Sequence, residues 1–452
     1  MRITFIRPHL LDKRSPDSME PLVFAILAGL TPPDIELSLF DERLEPIPAD
    51  HETDLVALTV ETYTARRAYQ IAANYRRRGI PVVMGGHHPT LLPDEVLRYA
   101  DSVVIGDAEA VWQQLLADAE RGKLQQVYRS TEPPSLDNLV LDRSIFAAKS
   151  YRSRSQLLAP VQFSRGCRFA CEFCSVHAFY GSKVRHRPIA DVVGEIEGLR
   201  RRHILFVDDN LLVDTSQAKE LFHAIRPLNV QWGCQVSIDT AHDDQLMDLM
   251  AKSGCFSAVI GFESLNQDNL KQMNKGWNLK HSDYSTAIRK FQDRGIMIYA
   301  SFLFGYDHDT VDTFDKTAEF AIRSKFSLVD LRVLTPTPGS RLYHRLLKEN
   351  RLLSERWWLD PDYRYGDAIF QPRRMTPNEL TEGCRRARRL VYSYKSILQR
   401  SLDPSANACS LRRLGLFWVA NFVVRKQLPF TYGHRLGAAH PGSSGSATLD
   451  PS

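Results

Sequence analysis

The stretch "SRGCRFACEFCS", Ser164 to Ser175, gathers Cys167, Cys171 and Cys174 within a chain that has only seven cysteines. The spacing is C-x3-C-x2-C. These thiols are too close in sequence for an ordinary disulfide pair, and three thiolates suit a soft metal. Zinc sites usually take four ligands, often from two separated CxxC pairs, and no second pair occurs here. His177 follows closely and could complete a zinc site, so that reading stays open. A four-iron cluster takes four cysteines. Three would leave one iron open to a ligand that the protein does not supply.

The motif directly follows the apolar run "APVQF", so it lies in the loop at the carboxyl end of a strand. Barrels place their chemistry there. Working forward, strands are predicted at 159–163, 203–207, 231–237, 257–262, 297–304 and 328–334. Amphipathic helices such as "IADVVGEIEGLRRR" and "DQLMDLMAKSG" separate them. Six βα units within 159–345 predict a partial barrel, because a complete eight-unit barrel typically needs roughly 250 residues.

Working backward, residues 1–125 alternate apolar runs with helical patterns. "RITFIRP", "IELSLFD", "DLVALTV", "IPVVMGG" and "ADSVVIG" read as strands. "PLVFAILAGL" and "TARRAYQIAANYRRRG" read as helices. The alternation predicts a doubly wound parallel sheet, whose ligands sit at the carboxyl ends of its strands. Gly85, Gly86, His87 and Gly106 fall at those ends, where the glycines could equally serve as turns. Residues 126–158, with Pro133 and Pro134 and little periodicity, read as a linker.

Bulk composition sets limits. At 452 residues, two or three domains are expected. A hydrophobic share of 43% with 25% charged residues reads as soluble and globular. The net charge of +5 is too mild to indicate a nucleic-acid partner. The odd cysteine count at irregular spacing favours a reducing cytoplasm over a disulfide framework. "MRITFIRPHLL" lacks the apolar core of a signal peptide. No apolar run reaches the ~18 residues that a spanning helix needs.

The cysteine stretch, with Phe173 before its last cysteine, closely resembles the signature of the radical S-adenosylmethionine (radical SAM) superfamily. The resemblance implies a [4Fe-4S] cluster held by Cys167, Cys171 and Cys174, with S-adenosylmethionine chelating the open iron. Cleavage of S-adenosylmethionine to a 5′-deoxyadenosyl radical, and an electron donor such as flavodoxin or ferredoxin, are implied with it. Later segments follow in the family's order. Asp208 and Asp209 match the position that meets the methionyl amine, and Gln235 and Ser237 match the ribose contacts. Glu263 in "IGFES" corresponds to a ribose or substrate contact, and Gly305 in "FLFGYDHDT" to the strand near adenine.

Residues 1–125, through "DLVALTVETYTARRAYQIA", "PVVMGGHHPTLLPDEVL" and "ADSVVIGDAE", resemble the flavodoxin-like cobalamin-binding domain of one branch of that superfamily. That likeness implies a corrin lined by Thr59, Thr62, Gly85, Gly86, His87 and Gly106. The D-x-H-x-x-G motif of a histidine lower ligand is absent from "RPHLLDKRSP", as in many members of the branch. The commonest chemistry of the branch is methyl transfer to an unactivated carbon, here of a lipid or natural-product intermediate. Cyclisation, oxidation and C–C bond formation without methyl transfer are the alternative.

From residue 346 the pattern becomes mainly helical. The aromatic stretch "ERWWLDPDYRYGDAIFQPRR" suggests a substrate-covering segment. Arg385, Arg386, Arg388 and Arg389 read as a solvated helix face, with binding of phosphate or anionic lipid as the alternative, and Cys234 and Cys255 as buried structural thiols. "LGLFWVANFVV" (414–424), between basic residues, has two readings. It is a core helix closing the region over the barrel, or a peripheral membrane contact through 412–430. The tail 437–452 is small and polar and is expected to be disordered.

Overall fold

The computed structural model describes residues 1–10, 19–137, 139–149, 158–280 and 284–437. The expected disorder of the tail therefore falls, from residue 438 onward, outside the described residues. Two parallel α/β sheets, each of six strands, make up the body.

The first sheet comprises β1 (Arg2–Arg7), β2 (Glu36–Asp41), β3 (Leu55–Thr59), β4 (Val82–Gly85), β5 (Ser102–Ile105) and β6 (Val127–Arg129). Its order is β2-β1-β3-β4-β5-β6. The direction of winding reverses between β1 and β3, which opens a crevice at the strands' carboxyl ends. β6 comes from the stretch expected to be linker, so the sheet extends past residue 125. It is a short edge strand with Val127 and Arg129 exposed, and so carries no apolar run.

Both faces of this sheet are covered, which is why its strands read as continuous apolar runs. On one face the helix Ala65–Arg77 turns Ala68, Tyr69, Ile71, Ala72 and Tyr75 inward, and this core is continuous with that of the second domain. On the other face the helices Leu22–Leu30 and Trp112–Glu120 enclose a separate core around Phe5, Phe24, Leu27, Val83, Val104 and Trp112.

The second sheet follows β7 (Ala159–Val161). A two-residue hairpin, β8 (Ser164–Arg165) with β9 (Arg185–His186), closes off the cysteine-bearing loop. β10 (His203–Phe206), β11 (Gln231–Val236), β12 (Cys255–Glu263), β13 (Met297–Phe304) and β14 (Leu328–Val333) complete it. The spatial order β7-β10-β11-β12-β13-β14 is sequential, the pattern of a partial (β/α)6 barrel. Cys234 and Cys255 are buried in its strands.

The C-terminal region is helical and packs on the barrel. Trp357 and Trp358 are buried rather than draped over an open site. Their indole N–H groups donate to the Pro336 carbonyl at 3.1 Å and to Glu95 Oε1 at 2.9 Å, which makes that burial affordable. Arg388 also departs from the expected solvated face. It is buried, donates to the Leu331 carbonyl and lies 3.5 Å from the Tyr432 ring centre, while Arg385 and Arg386 pair with Asp367 and Asp315.

Gly166, which begins the cysteine loop, has φ +93°, and a Cβ there would collide with the Lys183 carbonyl across the hairpin. Gly166→Ala is therefore expected to cost about 2 kcal/mol or more, from a strained φ and a steric clash. Denaturant titration of the two proteins measures it, and an unchanged midpoint would contradict the hairpin geometry.

Candidate active site between the two sheets

Every strand of the barrel delivers its carboxyl end to the same side, so the residues following β7, β10, β11, β12 and β13 converge there. The loop carrying Cys167, Cys171 and Cys174 is pinned at several points. Phe169 stacks on Trp277 with ring centres 4.2 Å apart, and Glu172 pairs with Arg345 at 2.7 Å. The Glu172 N–H donates to the Met273 carbonyl, and Phe173 packs against the barrel core.

The three cysteines are free and half-buried. Burial pushes all three thiols up, Cys171 to about 12. Local donors oppose this. The backbone N–H of Phe169 lowers Cys167, and those of Val176 and His177 lower Cys174. The Lys275 ammonium lowers all three. Free thiols with backbone donors and a nearby cation fit an anionic thiolate-ligated cluster. Among the described residues, no group of three or more His, Cys, Asp or Glu side chains is arranged to hold a single metal ion. His177 instead turns Nε2 toward Arg341, 3.5 Å away.

The remaining barrel residues named from the sequence fall into two kinds. Asp208 is buried and turned inward. Its carboxylate accepts the Phe163 N–H at 3.2 Å, the Ser164 hydroxyl at 2.6 Å and the Ser164 N–H, and burial pushes its pKa up to about 6. It ties β10 to the start of the cysteine loop. Asp209 accepts the Gly166 N–H at 2.9 Å, and Gln235 Nε2 donates to the Asp209 carbonyl at 3.0 Å. Ser237 lies 3.4 Å from Asn210 Nδ2.

Glu263 sits at a register shift that ends β12, with φ +62°, and pairs with Lys275 at 2.8 Å. Lys275 also donates to the Gly261 carbonyl at 2.8 Å, which holds its ammonium at the end of β12. Gly305, φ +117°, is packed by the C-terminal region. A Cβ there would come within 2.8 Å of Phe370 and 2.9 Å of Leu380.

In the first domain, a cavity of about 240 Å³ opens at the carboxyl ends of β3, β4 and β5. It runs down between the sheet and the helices Leu22–Leu30 and Trp112–Glu120, past Phe24, Leu27, Val83, Val104 and Trp112. Thr59, Gly85, Gly86, His87 and Gly106 line it, whereas Thr62 is buried beside His88 at 3.4 Å. No atom lies within 4 Å of a Cβ built on Gly106, so that wall is open. Gly86, φ +107°, approaches the Val60 backbone too closely to carry a side chain without strain. His87 packs against Phe179 with ring centres 4.6 Å apart and the planes tilted by 45°, and its Nε2 is buried without a partner among the described residues. An apolar slot beneath a glycine-edged mouth fits a large planar cofactor with a tail.

The opposite wall of this cavity belongs to the barrel: Gln162, Arg165, Phe179 and Tyr180. Arg165 is buried and bridges the two domains, with Asp107 at 3.1 Å and Glu109 at 2.6 Å. Arg185 reaches Asp107 from β9 at 2.6 Å. Burial alone would disfavour the Arg165 charge, but Glu109 and Asp107 more than offset it and hold the guanidinium above its ordinary value. Arg165, Glu109 and Lys275 were not singled out from the sequence. The only signal was the pair of acids after Gly106, which marks no chemistry by itself.

With this geometry in place, the comparisons with known proteins agree on the architecture. The Radical SAM superfamily model matches residues 161–321 and the B12 binding domain model residues 26–116. The chain is 30% identical over 416 residues to the bacteriochlorophyllide d C-12(1)-methyltransferase of Chlorobaculum tepidum, covering 90% of this chain and 88% of that one. It is 27% identical over 374 residues to the anaerobic magnesium-protoporphyrin IX monomethyl ester cyclase of Rubrivivax gelatinosus, covering 76% of this chain and 64% of the cyclase. Among solved structures, the radical S-adenosylmethionine methyltransferase TsrM from Kitasatospora setae superposes with TM-score 0.62 at 16% identity, covering 84% of each chain. The chain is a radical SAM enzyme with an N-terminal B12-binding domain. It belongs to the cobalamin-dependent radical SAM family, whose cofactors are a [4Fe-4S] cluster, S-adenosylmethionine and cobalamin.

Asp107→Asn removes one of the two carboxylates that neutralise buried Arg165. A loss of about 3 kcal/mol in unfolding free energy is expected, the usual cost of breaking a buried pair. Thermal unfolding of Asp107→Asn and of Asp107→Asn with Arg165→Met checks this. The double variant should recover part of the loss, and an undisturbed single variant would contradict the bridge.

Proposed function

We propose that the enzyme transfers a methyl group to an unactivated carbon on the side chain of a chlorophyllide-type tetrapyrrole. The observation that carries this reading is the shared wall. Arg165, Phe179 and Tyr180 of the cysteine loop close the cavity whose other side is Thr59, Gly85, Gly86, His87 and Gly106. The likeness to the bacteriochlorophyllide methyltransferase, over 90% of this chain, supports the substrate class.

Cys167, Cys171 and Cys174 would hold the cluster, with Phe173 backing the loop. Asp209, Gln235, Ser237 and Glu263 would face S-adenosylmethionine, with Asp208 and Gly305 behind them as supports. The glycine-edged cavity would hold cobalamin. When bound, these groups supply a carbon-centred radical and a transferable methyl group.

The protein's contribution is positioning and dryness. The Phe169–Trp277 stack and the Glu172–Arg345 pair fix the cysteine loop. Lys275 offsets the negative charge of three thiolates. The Arg165 bridge sets the separation of the two cofactor sites. The apolar walls of the slot limit solvent access to the cofactors.

A second reading, ring formation without methyl transfer, is supported by the likeness to the cyclase. The two separate in paired anaerobic reactions with a reductant and methyl-labelled S-adenosylmethionine, one with bacteriochlorophyllide d and one with magnesium-protoporphyrin IX monomethyl ester. Labelled methyl in the tetrapyrrole, with 5′-deoxyadenosine formed alongside it, is the expected outcome. 5′-Deoxyadenosine with a label-free, oxidised product would establish the cyclase reading instead.

A further inference from the structure

Between Gly383 and Gly437 the chain carries eleven Lys and Arg residues and one acid, Asp403. Asp403 is buried, where it accepts backbone N–H groups from residues 405 to 407. Some of the basic residues are neutralised: Arg385 by Asp367 and Glu382, Arg386 by Asp315, and Arg435 by Asp362. Among the described residues, Arg389, Lys395, Arg412, Arg425 and Lys426 form no ion pair with a carboxylate.

Arg412, Arg425 and Lys426 share a helix with an apolar patch, and Lys395 lies next to Tyr394 on the neighbouring helix. The helix Leu411–Thr431 buries Phe417 and Asn421 against the body. Its outer face exposes Leu411 at 88%, Val419 at 63% and Phe430 at 55%, with Trp418 and Phe422 also exposed. The neighbouring helix Tyr394–Ser401 adds Tyr394 and Leu398. Ring contacts make the patch continuous, with Trp418 to Phe422 at 5.7 Å and Phe422 to Tyr394 at 6.2 Å. Arg425 lies 4.1 Å from the Tyr394 ring centre, and Arg412 and Lys426 are exposed on the same helix. A helix apolar on both its faces needs a second apolar neighbour.

We propose that this face docks on an anionic lipid bilayer, with Trp418, Val419 and Phe422 entering the interface and the neighbouring cations meeting the headgroups. Among the described residues, no helix is long and apolar enough to cross a membrane, so the contact lies along the surface. Charge decides between occupants. A second copy related by a two-fold axis would set one cationic surface against another, which is unfavourable. An anionic bilayer satisfies both the apolar patch and the basic residues beside it. The two sequence readings of 414–424 then describe the two sides of one helix: Phe417 and Asn421 inward, Trp418, Val419 and Phe422 outward. The inference is independent of the substrate and of methyl transfer.

The test uses the full-length holoprotein with vesicles of phosphatidylcholine alone, or of equal parts phosphatidylcholine and phosphatidylglycerol. Trp112, Trp232, Trp357 and Trp358 are buried and the half-buried Trp277 is stacked on Phe169 at the cysteine loop, so Trp418 is the exposed tryptophan placed to report contact. Binding to the anionic vesicles alone is expected, with emission quenched by brominated acyl chains and that quenching lost in Trp418→Phe. Arg412→Gln and Lys426→Gln should each weaken binding about five-fold at low salt. Val419→Glu with Phe422→Glu should weaken it at least ten-fold while iron and cobalt content hold. Should that double variant not fold, the two charge variants and Trp418→Phe still decide. Equal binding to both vesicles, binding to neither, or a dimer dispersed by Val419→Glu with Phe422→Glu would overturn the proposal. So would a need for an acidic protein partner.

Discussion

A buried guanidinium holds the two halves of this enzyme in register. Arg165 leaves the barrel two residues before the first cysteine and ends between Asp107 and Glu109, on the turn that closes β5 of the other sheet. A charge so placed is tolerated only while its carboxylates are present. The contact therefore fixes distance as well as affinity. One wall of the first domain's cavity is made by residues on either side of the cysteines, so moving one domain would open the cavity and displace the cysteine loop together.

The same logic extends inward through Asp208, Asp209 and Lys275. Asp208 spends its carboxylate on the backbone and hydroxyl that begin the loop, and Asp209 on the N–H of Gly166. Lys275 joins Glu263 and the Gly261 carbonyl to the electrostatic surroundings of all three thiols. Radical chemistry needs a rigid, dry enclosure more than it needs acid–base groups. This network is one of positioning contacts, with few polar atoms left uncommitted.

Much of this was legible in the sequence, for definite reasons. The barrel strands are rich in apolar residues, buried at alternate positions and mostly half-buried between them, and so appear as apolar runs, and the cysteine spacing is informative because few chemistries use it. Gly85, Gly86 and Gly106 were legible because strand ends in parallel sheets carry ligands. What was hidden depends on contacts between residues far apart. Arg165 and Glu109 are ordinary surface-type residues until the domains meet. Lys275 follows a helix with no motif around it. β6 is too short and exposed to show a pattern. Arg388 hides among other arginines, and only the Tyr432 ring and the Leu331 carbonyl distinguish it. Trp357 and Trp358 read as part of a substrate-covering segment because their partners, Pro336 and Glu95, lie elsewhere in the chain.

One chain is expected to hold two cofactor sites, distinct in their ligands and joined by a single wall. Anaerobic purification with cobalamin supplied, followed by iron and cobalt analysis of the natural protein and of Cys174→Ala, tests it most directly. The natural protein should carry about four irons and about one cobalt per chain. Cys174→Ala should lose the iron and keep the cobalt, because no cysteine lines the first domain's cavity among the described residues. Iron without cobalt in the natural protein, or iron retained in Cys174→Ala, would contradict it.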